Sequence, residues 1–391
     1  MLPNDFINIL SESVGEERAS TIAAALDTDA EVSVRVNPFK MSLSALREHF
    51  GELAGDPVPW AADEAFYLRE RVSFTLDPLF HAGGYYVQEA SSMYVGSLVD
   101  EIFAMTGRKD NLRVLDLCAA PGGKTTQLLS RLMPVPGAPE RHNILIANEV
   151  VPSRVAVLYE NVAKWGCRGV TVTNSDPSHF AGEVFDIAVV DAPCSGEGMF
   201  RKDLKARDNW SANTVSLCAS RQKRILSDIW PCLADGGCLI YSTCTFNHFE
   251  DEDIVDWICS DLGAECISQK HFYPGEDRGE GFFAALLHKV GGTADSGRRR
   301  ASGKGLKLFE PQFPMADEAL SVHLPADKYP RVELSREDAL RFLSKDTLRF
   351  PDQPQGYLLL TYKGLGLGFV KNLGNRANNL HPMPRRIRLH L

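Results

Sequence analysis

The chain has no apolar run that approaches the roughly 20 residues of a membrane-spanning helix, so we do not expect a membrane protein. It also lacks Cys-x-x-Cys pairs, although it contains nine cysteines scattered along its length. This pattern disfavours a disulfide framework and a metal site, and it predicts a reduced, cytoplasmic protein that holds no metal. Acidic residues outnumber basic ones, with 51 Asp and Glu against 42 Lys and Arg. The formal net charge of −9 argues mildly against a nucleic-acid partner, because phosphate contacts need lysine and arginine.

With 391 residues, 44% of them hydrophobic and 24% charged, the chain has a globular composition and enough length for two or three domains. Two clusters of basic residues occur near the C-terminal end. These clusters contain Arg298, Arg299, Arg300, Lys304 and Lys307, and then Lys363, Lys371, Arg376, Arg385, Arg386 and Arg388. Since most charge clusters are solvated surface, they carry little weight alone.

Apolar strands alternate with helices from about residue 111 onwards, and a final buried strand ends near residue 287. This alternation predicts an α/β fold with a doubly wound, mostly parallel, Rossmann-like sheet and helices on both faces. We expect a small N-terminal α+β domain, the sheet domain, a Gly, Ser and Arg-rich linker, and a C-terminal α+β domain. The predicted ranges are 1–75, 76–290, 291–306 and 307–391.

A tight turn follows the first strand of this series and opens a helix. Its residues are Cys118, Ala119, Ala120, Pro121, Gly122, Gly123 and Lys124. A phosphate-binding P-loop needs glycine at the position of Cys118, and a dinucleotide fingerprint needs three spaced glycines where Gly122 and Gly123 stand adjacent. Neither motif fits, so the turn does not predict a site for a nucleoside triphosphate or a dinucleotide. It predicts another ligand, which lies against the backbone N–H groups of the turn.

Acidic residues occur at the ends of three successive predicted strands. Glu149 is placed to accept from ribose hydroxyls, Asp176 to meet an adenine, and Asp191 ends the next strand. Any one of them is equally consistent with a helix cap or turn residue. Opposite a Gly-rich turn the three predict S-adenosylmethionine, because that cofactor combines an adenosine with a cationic sulfonium and carries no phosphate.

Cys194 and Cys244 each follow a predicted strand, within Asp-Ala-Pro-Cys and Ser-Thr-Cys-Thr. A cysteine by itself is most often a small buried hydrophobic residue. Two of them beside a methyl-donor site predict covalent chemistry on an electron-poor ring such as a pyrimidine, in which one thiol attacks and the other assists release of the product. A free thiol needs help to ionise at neutral pH.

Three long segments in this order resemble the Sun-type (RsmF-like) family of RNA cytosine-C5 methyltransferases. They span 118–124, 191–198 and 241–245, and the C-terminal segment 373–379 resembles that of the bacterial ribosomal-RNA members. The resemblance implies an S-adenosylmethionine-dependent enzyme, monomeric by default, that acts on 16S ribosomal RNA or the small ribosomal subunit. Transfer RNA as the substrate, or a non-catalytic ribosome-assembly factor, remain alternatives.

The roles of the two cysteines stay open at this level. DNA cytosine methyltransferases attack with a Pro-Cys thiol, which by analogy points to Cys194. The resemblance to the RNA family instead implies attack by Cys244 and product release by Cys194. Lys124 is expected to promote thiolate formation or orient the base, and Asp191 to bind N3 and the exocyclic amine of cytosine.

Contacts with RNA are expected from the flanking domains, mostly through phosphates. The candidates are Arg35, Tyr85 and Gln88 in or next to the first domain, and Lys371, Arg376, Arg385 and Arg386 in the last. For the first three, a packing role is equally consistent with the sequence.

Overall fold

The computed structural model describes residues 2–291 and 305–388 of the chain. Most of the predicted linker therefore lies outside the described residues, together with Arg298, Arg299, Arg300 and Lys304 of the first basic cluster. Within the described ranges, the fold contains a seven-stranded sheet flanked by two four-stranded sheets. Among these residues we find no helix with the length and apolar character required to span a bilayer.

The first unit is a four-stranded antiparallel sheet in the order β2-β3-β1-β4, packed with short helices. Its strand β1 lies within the alternating apolar and polar stretch 32–36. The elements are α1 (Asn4–Val14), α2 (Glu16–Ala25), β1 (Ser33–Val36), α3 (Leu43–Phe50), β2 (Ala54–Pro57), β3 (Ala65–Leu68), α4 (Pro78–His81) and β4 (Tyr85–Val87).

The boundary predicted at residue 75 divides this sheet, and the structure corrects it. Strand β4 lies beyond that boundary and pairs with β1, with Val34 opposite Val87. The three residues of β4 are too few to show a strand period in the sequence, and their pairing partner is distant in the chain.

The central sheet has the order β10-β11-β9-β8-β5-β6-β7, in which the five strands from β9 to β7 run parallel and β11 is antiparallel to both of its neighbours. This arrangement confirms the predicted doubly wound, mostly parallel fold. Its elements are α5 (Tyr94–Thr106), β5 (Arg113–Asp116), α6 (Gly123–Leu132), β6 (Ile144–Asn148), α7 (Pro152–Trp165), β7 (Val170–Thr173), β8 (Phe185–Asp191), α8 (Leu204–Asn209), α9 (Ala212–Ile229), β9 (Leu233–Thr243), α10 (Glu252–Leu262), β10 (Ala264–Phe272) and β11 (Phe282–Lys289).

Local sequence explains where the main elements of this sheet begin and end. Strand β8 contains the run Ile187–Val190, which is buried on both faces as expected for a central parallel strand. Helix α7 begins at Pro152, where a missing N–H costs little, and stops at Gly166 with φ of +81°. The side chain of Ser211 caps α9 by accepting from Thr214 N. Helix α10 and strand β10, by contrast, had not been predicted.

The last unit has a sheet in the order β12-β13-β14-β15, in which β13 and β14 form an antiparallel hairpin. Its helix α12 begins after Ser335, because the side chain of Ser335 accepts from Asp338 N and caps the helix at that point. The elements are α11 (Pro314–Leu320), β12 (Arg331–Glu333), α12 (Arg336–Leu343), β13 (Gly356–Tyr362), β14 (Leu365–Asn372) and β15 (Ala377–Asn379).

The first residues assigned by prediction to the C-terminal domain instead extend the central sheet. Lys307 O accepts from Asn174 N at 2.8 Å, and Phe309 N donates to Val172 O at 2.9 Å. These bonds add a short segment along the free edge of β7. The chain therefore passes the carboxyl end of that strand before it enters the last unit.

The two flanking units share one hydrophobic cluster, in which Phe66 and Leu79 of the first belong together with Phe342 and Leu358 of the last. A polar contact adds to it, since Lys363 Nζ lies 2.9 Å from His49 Nδ1. The flanking units therefore pack against each other and against the central sheet.

Asn37 connects the first unit to the end of α7, and we expect Asn37→Ala to weaken the fold. Its buried Nδ2 donates to Gly83 O at 2.8 Å and to Trp165 O at 2.9 Å. Loss of the amide leaves two buried carbonyl groups without this donor, at a cost of about 2–4 kcal/mol in the free energy of unfolding. A lowered midpoint of thermal unfolding would show this. The exposed residue Asn213 provides the control Asn213→Ala, and equal midpoints for the two variants would contradict the expectation.

Candidate active site

The carboxyl ends of the parallel strands meet along one edge of the central sheet, and most of the predicted site residues lie there. Strands β8 and β9 pair with Asp191 opposite Ser242, so the segments that follow them run side by side. Strand β5 ends beside β8 at Asp116, and β6 ends at Asn148. In open α/β sheets this edge is where ligands bind.

The Gly-rich turn between β5 and α6 is held against the end of β6, because Ala119 N donates to Asn148 O at 2.8 Å. Gly122 has φ of +110°, and a Cβ at this position would lie 3.3 Å from Leu158 Cδ1. Both facts explain a glycine here. Helix α6 then begins at Gly123, which places its first turn and the N–H groups of that turn at the site.

Two buried carboxylates beside the turn each keep one oxygen without a hydrogen-bond donor among the described residues: Asp116 Oδ1 and Glu149 Oε2. Their other oxygens accept from Thr125 Oγ1 at 2.6 Å and from Val151 N at 2.9 Å, respectively. Arg154 Nη1 forms an ion pair with Glu149 Oε2 at 3.2 Å. Burial raises the pKa of Asp116 to about 7.

These acceptors, of which Glu149 Oε2 also carries the ion pair with Arg154, fit a ligand that brings hydroxyl groups and positive charge. S-adenosylmethionine has both, and it brings no phosphate to be repelled by carboxylates. The residues at this edge therefore fit the cofactor predicted from the sequence, with Glu149 in the predicted position at the end of β6.

Asp176 uses one carboxylate oxygen within its own turn. Its Oδ1 accepts from Ser178 N at 3.1 Å and from Ser178 Oγ at 2.7 Å, and the hydroxyl hydrogen bond is the largest cause of a lowered pKa for Asp176. This is the capping role that the sequence had left open. Its other oxygen lies 3.8 Å from Arg224 Nη1, so a contact with adenine stays a prediction.

Lys124 and Asp191 form an ion pair at the centre of the site, with 2.9 Å between Nζ and Oδ2. Burial would lower the pKa of Lys124, but the charge and hydrogen bond of Asp191 outweigh it and raise that pKa, and negative charge on Cys244 acts in the same direction. Asp191 Oδ1 accepts from Ser242 Oγ at 2.8 Å. Both oxygens of Asp191 are thus oriented by neighbours, and Lys124 is held as a cation.

Cys194 and Cys244 lie next to each other, with 3.3 Å between their sulfur atoms. They are 50 residues apart in the sequence and each is half-buried. The hydrogen bond with Cys244 and, after it, burial raise the pKa of Cys194. The structure therefore brings together both cysteines, Lys124 and Asp191, whose roles had been predicted from the chain alone.

Sequence reasoning missed three acidic residues of this edge: Asp116, Glu197 and Glu250. Asp116 is fully buried directly before the Gly-rich turn, and the other two are buried in the segments that carry the cysteines. Asp116 had a detectable signal, since it is an acid at the end of an apolar strand. Glu197 had one too, since it lies inside the motif segment 191–198, whereas Glu250 had none beyond its closeness in sequence to Cys244.

The structure corrects the predicted RNA contacts of Arg35, Tyr85 and Gln88, because all three side chains are buried. Arg35 Nε donates to Gln88 Oε1 at 2.8 Å, and its Nη2 donates to Gly123 O at 3.2 Å. Tyr85 Oη donates to Asp77 Oδ2 at 2.7 Å. Arg35 and Gln88 therefore stabilise the Gly-rich turn from inside the protein, and neither side chain is exposed for contact with RNA.

Of the four basic residues predicted in the last unit, Lys371, Arg376 and Arg386 are exposed and stay candidates for RNA contact. Arg385 requires a correction. Its Nη1 lies 2.8 Å from Asp317 Oδ1 in a pair with little exposure, so its charge is used inside the protein to attach the C-terminal segment to α11.

Three family models match the chain in succession. Residues 2–90 match the N-terminal domain of 16S rRNA methyltransferase RsmF, residues 104–288 match 16S rRNA methyltransferase RsmB/F, and residues 329–387 match the methyltransferase RsmF PUA domain. The matches cover all three structural units.

Curated relatives agree with these models. The ribosomal RNA small subunit methyltransferase F of Aliivibrio salmonicida is 33% identical over 78% of this chain and 67% of its own length. The protein of the same description from Aliivibrio fischeri is 28% identical over 97% of this chain and 96% of its own length.

Solved structures show the same fold. A methyltransferase homolog protein from Pyrococcus horikoshii has a TM-score of 0.61 with 27% identity, over 72% of this chain and 94% of that one. NSun6 from Pyrococcus horikoshii, solved with SFG, has a TM-score of 0.64 with 19% identity, over 74% of this chain and 99% of that one.

The raised pKa of Asp116 predicts a specific pH dependence of stability. From its ordinary value of 3.8 up to about 7, the folded protein binds a proton at Asp116 that the unfolded chain has released. Folded stability therefore falls as pH rises through this window, by at most about 1.4 kcal/mol per pH unit. Asp116→Asn removes this contribution. Relative to the wild type, the midpoint of thermal unfolding of the variant should therefore rise as pH increases from 4.5 to 7.

The matched control is Asp208→Asn, at an exposed carboxylate of α8. Its midpoint should differ from that of the wild type by the same amount at every pH. If the Asp116→Asn and wild-type midpoints also ran parallel, Asp116 would be ionised throughout the window and the expected dependence would be wrong.

Proposed function

We propose, since this chain belongs to the 16S rRNA methyltransferase RsmB/F family, that it methylates C5 of a cytosine in 16S ribosomal RNA. Membership makes it an S-adenosylmethionine-dependent methyltransferase. The observation that carries the choice of C5 is the 3.3 Å approach of Cys194 Sγ to Cys244 Sγ, beside the Lys124–Asp191 pair. Two thiols and a fixed carboxylate suit a reaction through a covalent adduct of the base.

Cys244 is the proposed nucleophile. Its thiolate adds to C6 of cytosine, and the electron pair of the C5–C6 double bond then makes C5 nucleophilic. The raised pKa of Cys194 keeps the proton on that thiol, from which it can donate to the sulfur of Cys244. Lys124 supports the same assignment, because negative charge on Cys244 contributes to the raised pKa of Lys124, which places this cation near the attacking sulfur.

Asp191 is proposed to bind N3 and the exocyclic amine of the target base. Its carboxylate accepts from Ser242 and pairs with Lys124, so its position is set before the base arrives. A preorganised group of this kind stabilises the charge that develops on the ring as sulfur adds, without reorganisation during the reaction.

The Gly-rich turn is proposed to hold the cofactor through backbone N–H groups, and Asp116 and Glu149 through the carboxylate oxygens that have no hydrogen-bond donor among the described residues. When bound, S-adenosylmethionine supplies the methyl group that C5 receives. The C5 proton then leaves to solvent, the bond between sulfur and C6 breaks, and the ring double bond forms again. Cys194 lies beside the departing sulfur and is proposed to give it a proton.

The target base must leave its stack to reach the edge of the sheet. We propose that the last unit grips the surrounding RNA, mainly at phosphates, through its exposed residues Lys371, Arg376 and Arg386. The match of residues 329–387 to the RsmF PUA domain supports this assignment.

The two cysteine roles predict opposite behaviour of two variants. Cys244→Ala should form no covalent complex and give no methylated product, because the attacking sulfur is gone. Cys194→Ala should still attack and should accumulate protein joined to RNA, because release is slowed. A denaturing gel of each variant incubated with S-adenosylmethionine and 16S rRNA fragments reads out both results.

Cys259→Ala changes a half-buried cysteine of α10 outside the site and should behave as the wild type. An adduct with Cys244→Ala but none with Cys194→Ala would exchange the two roles. Absence of an adduct from every variant, under conditions where the wild type methylates RNA, would refute covalent catalysis.

Bisulfite sequencing of ribosomal and transfer RNA from cells with and without the gene tests the substrate. We expect at least one cytosine in 16S rRNA to lose its methyl group when the gene is absent. Loss confined to transfer RNA would make the acceptor wrong. Unchanged RNA methylation with altered small-subunit assembly would indicate a non-catalytic assembly factor.

A further inference from the structure

The segment that carries Cys194 is joined to the segment that carries Cys244 by a buried glutamate from each. Glu197 follows Cys194 and is 1% exposed. Its Oε2 accepts from Thr245 Oγ1 at 2.7 Å and from Phe246 N at 2.7 Å, and both donors belong to the Cys244 segment. The carboxylate therefore spans from one cysteine segment to the other.

Glu250 makes the reciprocal connection. It follows Cys244, is fully buried, and its Oε2 accepts from Ser195 N at 3.0 Å, the residue next to Cys194. The same oxygen accepts from Gln222 Nε2 of helix α9 at 2.8 Å, and Gln222 also donates to Pro193 O. The Cys194 segment is thus held from two sides.

Asn247 links the two carboxylates, since its Nδ2 donates to Glu197 Oε1 at 2.8 Å and to Glu250 Oε1 at 3.0 Å. Backbone packing reinforces the contact between the segments. Gly198 N donates to Cys244 O at 2.7 Å, and a Cβ at Gly198 would lie 2.9 Å from that oxygen. We call Glu197, Glu250 and Asn247 the carboxylate bridge.

The carboxylate bridge joins the two segments at a cost in desolvation free energy, because both carboxylates are buried. Within the part of the chain that the structure describes, neither Glu197 nor Glu250 has a lysine or arginine within 4.0 Å. Burial, with the neighbouring charge of Glu197 added, raises the pKa of Glu250 to about 7. Apolar residues of similar volume usually hold a buried contact as well as buried charges do, without the desolvation cost. Directional hydrogen bonds, however, fix the relative position of two segments more narrowly than apolar packing does.

We propose that Glu197 and Glu250 are positioning residues, which hold the two cysteine segments at the separation that lets one sulfur act on the base while the other assists release. This role in release rests on the proposed function. The separation of the sulfurs does not, and it can be measured without RNA or cofactor.

Conservative variants test the bridge. Glu250→Gln keeps the volume but replaces one acceptor oxygen by an amide N–H₂ that faces the donors Ser195 N and Gln222 Nε2. Glu197→Gln likewise places an amide N–H₂ group against the donors Thr245 Oγ1 and Phe246 N. In each case donors face each other, so the segments must move apart or the hydrogen bonds are lost.

Disulfide formation measures the distance between the sulfurs. Diamide takes two electrons and two protons from a pair of thiols, forming the sulfur–sulfur bond and a reduced hydrazine, and mass spectrometry of peptides identifies the Cys194–Cys244 link. We expect a fast reaction in the wild type, and reaction rates lowered by on the order of 10- to 100-fold in Glu250→Gln and Glu197→Gln.

Glu64→Gln is the matched control, because Glu64 is also a buried carboxylate that accepts from a buried amide, Gln127 Nε2 at 2.7 Å. It should lower the thermal midpoint while leaving the cross-linking rate at the wild-type value. Wild-type rates in both bridge variants would overturn the proposal, whatever the activity of the enzyme. Rates that fall equally in Glu64→Gln would overturn it too, by showing general loosening.

Single-turnover reactions with 16S rRNA fragments then test the consequence for release. The bridge variants should accumulate covalent complex as Cys194→Ala does, with release slowed more than attack, whereas a merely structural defect would lower both rates together and contradict a positioning role. Slow cross-linking combined with no adduct from any variant, Cys194→Ala included, would refute the proposed covalent function and leave the geometric part of the inference standing.

Discussion

The register of β8 against β9 is the constraint on which the site depends. Asp191 lies opposite Ser242, and Ala192 N continues the pairing by donating to Ser242 O at 2.8 Å. Parallel neighbours send their following segments out at the same edge, so two cysteines 50 residues apart in sequence meet with 3.3 Å between their sulfurs. A shift of one residue in this pairing would turn the carboxylate of Asp191 to the opposite face of the sheet.

Charge at this edge is divided between two sides. Asp116 and Glu149 offer buried acceptor oxygens next to the Gly-rich turn, whereas Lys124 neutralises Asp191 next to the cysteines. The division fits a cationic cofactor on one side and a reaction at a thiolate on the other. Three of the acids counted in the net charge of −9 thus face the site, whereas Lys371, Arg376 and Arg386 carry positive charge on the surface of the last unit.

The first unit contributes to the site by holding helices of the central sheet domain in position. Arg35 reaches the start of α6 from β1, and Asn37 bonds the end of α7. Hydrogen bonds to several acceptors restrict the position of the buried guanidinium of Arg35, and burial lowers the pKa of Arg35 to about 10. Because the flanking units also share a hydrophobic cluster, the last unit is connected through the first unit to the Gly-rich turn.

The sequence by itself determined the features that depend on neighbours in the chain. The strand at Val170–Thr173, the helix that starts at Pro152 and the turn that requires Gly122 follow from local periodicity and backbone geometry, and the motif segments led to the family and to both cysteines. The tertiary structure alone decided which distant groups meet. Burial of Arg35, pairing of Tyr85–Val87 with β1, and the joining of two segments by Glu197 and Glu250 each require partners far away in the chain. An arginine or a glutamate looks the same in a sequence whether water or a buried donor satisfies it, and the packing of the whole fold makes that choice.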